Sequence, residues 1–196
     1  MSVAELETSP AVTPEDLLHM PDGGKGLELV HGEIKELNVS FLSSFLAGEF
    51  YAILRDFVRP HKLGWVVPEG TSFRCFPFDR NRVRRADTAF IAFARITRDQ
   101  VLSEGHCTVV PDLVVEVISP NDLAGEVNQK VQEWQQAGVR LVWVVDPETK
   151  LVFTHRPDRV EKLQAGDTLV GDPVLPGFSC PVADLFRLPT PPTPAT

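Results

Sequence analysis

Between residues 40 and 58 apolar residues at Leu42, Phe45, Leu46, Phe50, Ile53, Leu54 and Phe57 recur at helical spacing and share one side of a helix, with Pro60 as its expected stop. A second helical stripe, Leu123, Val127, Val131, Trp134 and Ala137, predicts a helix from about Asn121 to Ala137 ended by Gly138. Shorter helices are expected over 14–20, where Pro14 follows Thr13 and Asp16 stands three residues on, and within "RITRDQVLSEG". The other apolar runs read as strands. "LELVHGEIKEL" alternates around His31-Gly32 as a hairpin with Leu29, Ile34 and Leu37 apolar, and "PDGGKG" before it is a turn. "GWVVP", "TSFRCF" and "DTAFIAF" are short strands, the last two separated by the basic loop "DRNRVRR". "PDLVVEVIS" and "VRLVWVVDP" are continuous enough to be covered on both faces, and hairpin strands around 150–171 finish the sheet.

The strand at 112–118, the helix after it and the strand at 139–145 form a β-α-β unit, which calls for a right-handed crossover and parallel pairing. An α/β (α+β) fold with a central mixed β-sheet flanked by helices is the economical architecture, as a single domain over 14–188. Residues 1–13 read as a flexible N-terminus, and the proline-rich 189–196 as a disordered tail.

Composition narrows the functions. With 43% hydrophobic residues, 196 residues supply one sizeable core without a second domain. The net charge of −8 gives no global attraction to nucleic acid, so any basic site must be local. Cys75, Cys107 and Cys180 are odd in number and never form a C-x-x-C pair, which argues against a disulfide framework and a zinc ribbon and for a reducing, cytoplasmic setting. No basic-then-apolar leader and no apolar run long enough for a membrane span is expected.

Three charges sit where apolar residues belong. Glu116 interrupts "LVVEVI", and alternation puts it on one face with Asp112, Val114 and Ile118, about 13 Å from Asp112 at the usual strand rise. Lys130 falls inside the second helical stripe, so it faces the sheet, and the cost of burying its ammonium is tolerable if it reaches Glu116. Asp87 opens an apolar strand, and Arg80, Arg82, Arg84 and Arg85 crowd the residues before it as a candidate phosphate-binding patch. Asp87 and Glu116 at the mouths of neighbouring strands, with Lys130 above them, would suit a magnesium-dependent hydrolase: hard oxygens for the cation and an ammonium for developing charge.

"ELVHGEI", "ADTAFI", "PDLVVEVISPND", a helical lysine and "AGVRLVWVVDPE" follow one another in this order between Glu28 and Glu148. This series resembles the Uma-two family of putative restriction endonucleases, a branch of the PD-(D/E)XK nuclease superfamily. The resemblance implies a restriction-endonuclease-like core and Mg²⁺- or Mn²⁺-dependent phosphodiester cleavage. It also implies nucleic acid, DNA foremost, as partner; a homodimer is expected apart from the resemblance, since it would let two sites address two strands. It puts the superfamily aspartate on Asp87 and the strand glutamate on Glu116, both as metal ligands. The lysine expected two residues after the glutamate is replaced by Ile118, and the family's alternative, a lysine from the next helix, matches Lys130. Ala86 replaces a common proline, and Trp134 a common tyrosine. An additional acid from the N-terminal region has three candidates, Glu28, Glu33 and Glu49, with Glu49 preferred for its place beside Phe45, Phe50 and Ile53.

Each residue has a plainer role as well. Glu116 with Lys130 could be a structural ion pair, Asp87 a strand-edge partner of Arg85, and the arginines a solvated loop. Asp112 and Asp146 read as strand-start and turn residues. The five histidines lack metal-ligand spacing, "GGKG" is no phosphate loop, and Ser119 lies in no nucleophile elbow. Two functions follow: a metal-dependent nuclease, or a nuclease-fold protein that binds or scaffolds without cutting. Convergence of Asp87, Glu116 and Lys130 on one pocket separates them.

Overall fold

Thr13 caps the first helix, α1 (Pro14–His19), through a reciprocal box with Asp16, as the sequence pattern expects. The computed structural model describes residues 11–190, so the readings of 1–10 and 191–196 lie outside the described residues. Strands β1 (Leu27–Val30) and β2 (Glu33–Glu36) make the expected hairpin. His31 and Gly32 turn it with φ of 53° and 77°, the left-handed pair that a two-residue hairpin turn needs. Helix α2 (Phe41–His61) follows, then β3 (Gly64–Pro68), β4 (Ser72–Phe73), β5 (Arg84–Arg85), β6 (Thr88–Ala92), α3 (Arg98–Leu102) and β7 (Leu113–Val117). Helix α4 (Ala124–Ala137), β8 (Leu141–Asp146), β9 (Leu151–His155), β10 (Val160–Leu163), β11 (Thr168–Val170), β12 (Ser179–Pro181) and α5 (Val182–Leu185) complete the chain.

The result is an α+β fold around a six-stranded mixed sheet in the order β10-β9-β8-β7-β6-β3. β7 and β8 are parallel across the α4 crossover, and the other neighbours are antiparallel. Alternation along β7 distributes its side chains between two cores. Leu113, Val115 and Val117 pack towards Leu46, Phe50 and Leu54 of α2. Val114 packs on the opposite face with Val131 and Trp134 of α4. Trp134 is fully buried, edge-on to Phe73 at 5.7 Å between ring centroids, and truncating such an aromatic costs about 3–5 kcal/mol. The same α4 face that carries this packing carries Lys130.

Four boundaries differ from expectation, each for a local reason. Helix α4 begins at Ala124 because Asp122 and Ser119 close a turn first: Ser119 N–H donates to Asp122 Oδ2 at 2.7 Å, and Asp122 N–H to Ser119 O at 3.0 Å. Leu123 therefore leaves the apolar stripe and is 64% exposed. Pro60 does not stop α2, since its missing N–H falls in the last turn; the helix closes one residue after it, where left-handed Lys62 bonds back to Arg59 O. "TSFRCF" pairs over two residues only, after which Cys75 and Phe76 pack into the core with Trp134. The strand at 168–170 does not join the main sheet but pairs with β12.

Candidate active site

The antiparallel register sets Thr88 opposite Val115, so the next step outward puts Asp87 beside Glu116 at the end of two central strands. Asp87 Oδ2 accepts the N–H of Val117 at 2.5 Å, which fixes the aspartate against β7. Its other oxygen accepts no hydrogen bond from the described residues. Glu116 points to the α4 side. Its Oε1 accepts the indole N–H of Trp134 at 2.7 Å, and its Oε2 lies 2.8 Å from Lys130 Nζ. Lys130 and Trp134, four residues apart on one helix face, thus grip the two oxygens of one carboxylate.

A second carboxylate reaches the same ammonium. Glu28 of β1 places Oε1 3.0 Å from Lys130 Nζ and accepts the backbone N–H of Arg85 at 2.8 Å. Its Oε2 accepts from Arg84 Nη1 at 2.8 Å, while Arg84 Nε donates to Glu133 Oε2 at 2.7 Å. Glu133 also pairs with Arg82. A buried chain of alternating basic and acidic side chains therefore runs Arg82, Glu133, Arg84, Glu28, Lys130, Glu116.

Burial governs the protonation of these groups. It pushes the Asp87 carboxyl up to about 6 against the pull of Lys130 and the Val117 N–H. It pushes Glu116 up to about 8, with Lys130 opposing and the Asp87 and Glu28 charges adding to the rise. For Glu28 burial is outweighed by Lys130, Arg84 and the Arg85 N–H, which hold it below the usual glutamate value. Lys130 goes up because Glu116, Glu28 and Asp87 together outweigh its own burial.

Asp87, Glu116, Lys130, Glu28 and Arg84 line one cleft of about 490 Å³. Glu33 also lines it, from the exposed side of the hairpin. Glu49 does not: it is exposed on α2, and the N-terminal acid that meets Lys130 is Glu28. The expected arginine patch is turned inwards. Arg82, Arg84 and Arg85 are 3%, 7% and 4% exposed. Arg85 spends its guanidinium on the carbonyls of Leu27, Gly70 and Gly24. Asp112 sits away from the cleft, fully buried, accepting from Ala92 N–H, Arg95 and Arg140. Sequence reasoning missed Glu133, although its place three residues after Lys130 on the same helix face was a usable signal.

Among the described residues no group of three or more His, Cys, Asp or Glu side chains forms a ready metal cage. The donor set nonetheless fits magnesium or manganese, which hold to one or two carboxylates and keep water or phosphate oxygens in their other positions. Asp87 has an oxygen to spare, whereas Glu116 would have to exchange a lysine or indole partner for the ion.

A mixed sheet with paired carboxylates at the end of two central strands and a lysine from the following helix defines a nuclease-like fold. The particular family follows from comparison: residues 14–183 match the family described as "Uma2: Putative restriction endonuclease", and the chain belongs to it. Among solved structures, the crystal structure of a putative nuclease belonging to DUF820 from Anabaena variabilis ATCC 29413 superposes with a TM-score of 0.73. It shares 19% identity, and the alignment covers 89% of this chain and 97% of that one, which shows the fold. No curated protein matches the chain significantly.

Proposed function

We propose that the chain is a metal-dependent endonuclease that hydrolyses phosphodiester bonds, with DNA the first substrate to test. The observation that carries this reading is the convergence of Asp87, Glu116 and Lys130 on one cleft, with Lys130 Nζ 2.8 Å from Glu116. Asp87 and Glu116 would hold Mg²⁺ or Mn²⁺. When bound, such an ion acidifies water and withdraws charge from phosphate oxygens. The remaining work falls to the protein. Asp87, clamped by the Val117 N–H, and Glu116, clamped by Trp134, present fixed oxygens, which lowers the reorganisation needed as the reaction proceeds. Lys130, protonated and held between two carboxylates, orients the attacking water or offsets charge gathering on the phosphate. Water forms one P–O bond, the opposite P–O bond breaks, and the leaving oxygen takes up a proton.

The second reading, a nuclease fold that binds without cutting, is favoured by one observation: both oxygens of Glu116 are already engaged within the protein. A cleavage screen over single-stranded and duplex DNA and RNA with Mg²⁺ or Mn²⁺, comparing wild type with Glu116→Gln, decides between them. Cleavage by wild type that the folded variant loses supports the nuclease. Binding with no cleavage by either supports the scaffold. A cytoplasmic homodimer forms part of this proposal, and the three cysteines, none of them paired, suit its reducing setting.

A further inference from the structure

Glu28 is the carboxylate closest in kind to a third metal ligand, and its bonding argues for a different task. Its Oε1 is occupied by Lys130 Nζ at 3.0 Å and the Arg85 N–H at 2.8 Å, and its Oε2 by Arg84 Nη1 at 2.8 Å. It is 2% exposed. Three donors surround two oxygens, and one of them is a backbone N–H that cannot swing away. Asp87 differs, because one of its oxygens takes no hydrogen bond from the described residues. Arg84 spans Glu28 and Glu133 with two different nitrogens, so its guanidinium plane is set by both acids. Glu133 is set in turn by Arg82 and by Gln129 Nε2, which donates to it at 3.0 Å.

From this we infer that Glu28 serves Lys130 rather than the metal, and that Arg84 with Glu133 is the positioning pair that keeps Glu28 turned to the lysine. The inference rests on the nuclease reading for its kinetic consequence, but its structural part stands apart from it. Were Glu116 to give up its contact with Lys130 in order to hold a cation with Asp87, Glu28 would remain as the anchor that keeps the ammonium at the cleft. Lys130 would otherwise follow its charge towards solvent on its flexible stem. Position 84 calls for a planar fork, because Nε on Glu133 and Nη1 on Glu28 hold the two acids in one plane, an orientation that the rotatable ammonium of a lysine would not impose.

The experiment uses the full chain and three readouts. Manganese titration calorimetry compares wild type, Glu28→Gln and Asp87→Asn. The inference expects Glu28→Gln to keep the wild-type affinity within about twofold while Asp87→Asn weakens it at least tenfold. Steady-state cleavage is expected to show kcat reduced at least tenfold with KM unchanged in Glu28→Gln and in Arg84→Lys, a split that general loosening of the fold would not give. The third readout is independent of metal and activity: the ¹H–¹⁵N signal of the Lys130 ammonium, assigned by its loss in Lys130→Met, should be sharp in wild type and exchange-broadened in Glu28→Gln and Arg84→Lys. Equal loss of manganese affinity in Glu28→Gln and Asp87→Asn would overturn the inference. So would an unaltered Lys130 signal in Arg84→Lys. If wild type neither cleaves nor binds manganese, the nuclease reading fails, and the ammonium signal alone still decides whether Glu28 and Arg84 position the lysine.

Discussion

Glu116→Gln tests the site through folding as well as through cleavage. In the folded protein burial pushes the Glu116 carboxyl from an ordinary 4.5 up to about 8. Between those values the folded state keeps a proton that the unfolded chain has released, so rising pH favours unfolding. The contribution is fully present below 4.5 and is lost as pH climbs through about 8. At 1.36 kcal/mol for each pH unit, the whole span corresponds to roughly 4–5 kcal/mol, of which roughly 2–3 kcal/mol falls between pH 6 and pH 9. Asp87, pushed from 3.8 up to about 6, acts in the same direction at lower pH, and the two titrations are shared because both carboxylates face one ammonium. Glutamine has no such proton to lose. Urea unfolding at pH 6, 7.5 and 9 should show wild type losing that 2–3 kcal/mol relative to the variant. Parallel profiles would show that Glu116 titrates as an ordinary carboxylate and would remove the desolvated site from the account.

Lys130→Met should destabilise the fold by about 3–5 kcal/mol at pH 8, because Glu116 and Glu28 lose their common cation; thermal unfolding reads this, and an equal or higher melting temperature would show that the isostere compensates fully. Manganese binding should strengthen as pH rises from 6 to 8, since the ion must displace the Glu116 proton, and it should weaken in Asp87→Asn; calorimetry at both pH values on both proteins checks it, with a pH-independent affinity counting against Glu116 as a ligand.

What was legible in the sequence was whatever obeyed a period. Glu116 and Lys130 were visible as charges inside apolar patterns, and their meeting followed from alternation on β7 and the stripe on α4. The β-α-β unit and its parallel pair were legible for the same reason. The choice among Glu28, Glu33 and Glu49 was not, because it depends on how the hairpin docks, not on any period within it. That docking is fixed by an isolated pair of backbone hydrogen bonds between Leu29 and Val83, both 2.9 Å, across 53 intervening positions that no local pattern spans. Once Leu29 is pinned to Val83, Glu28 must face Arg84 and Lys130. Glu49 does share its helix face with Phe45 and Ile53, four residues away on either side, but that face is the rim of the packed stripe: the two apolar side chains are half-buried there and Glu49 is exposed.

The inward turn of Arg82, Arg84 and Arg85 changes what can hold a nucleic acid. These cations neutralise Glu133 and Glu28 or bind backbone carbonyls and are not free for phosphates. The cleft mouth carries Glu33, Glu36, Asp122 and Glu126 in exposed positions, against Lys35 as the exposed cation among the lining residues. A polyanion approaching this mouth gains little from direct ion pairing, so its attraction must come chiefly through the divalent ion and Lys130. Few condensed counterions would then be released on binding, and the dependence of affinity on monovalent salt would be shallow. Fluorescence anisotropy of a labelled oligonucleotide with non-hydrolysable linkages on the wild-type chain, at fixed Mg²⁺ and increasing KCl, measures that slope. We expect a logarithmic slope of magnitude about 1–3, the release from one to three phosphate contacts. A slope of about 6 or steeper would mean that a basic surface outside this cleft carries the substrate, and the cleft charges would no longer explain how the chain binds it.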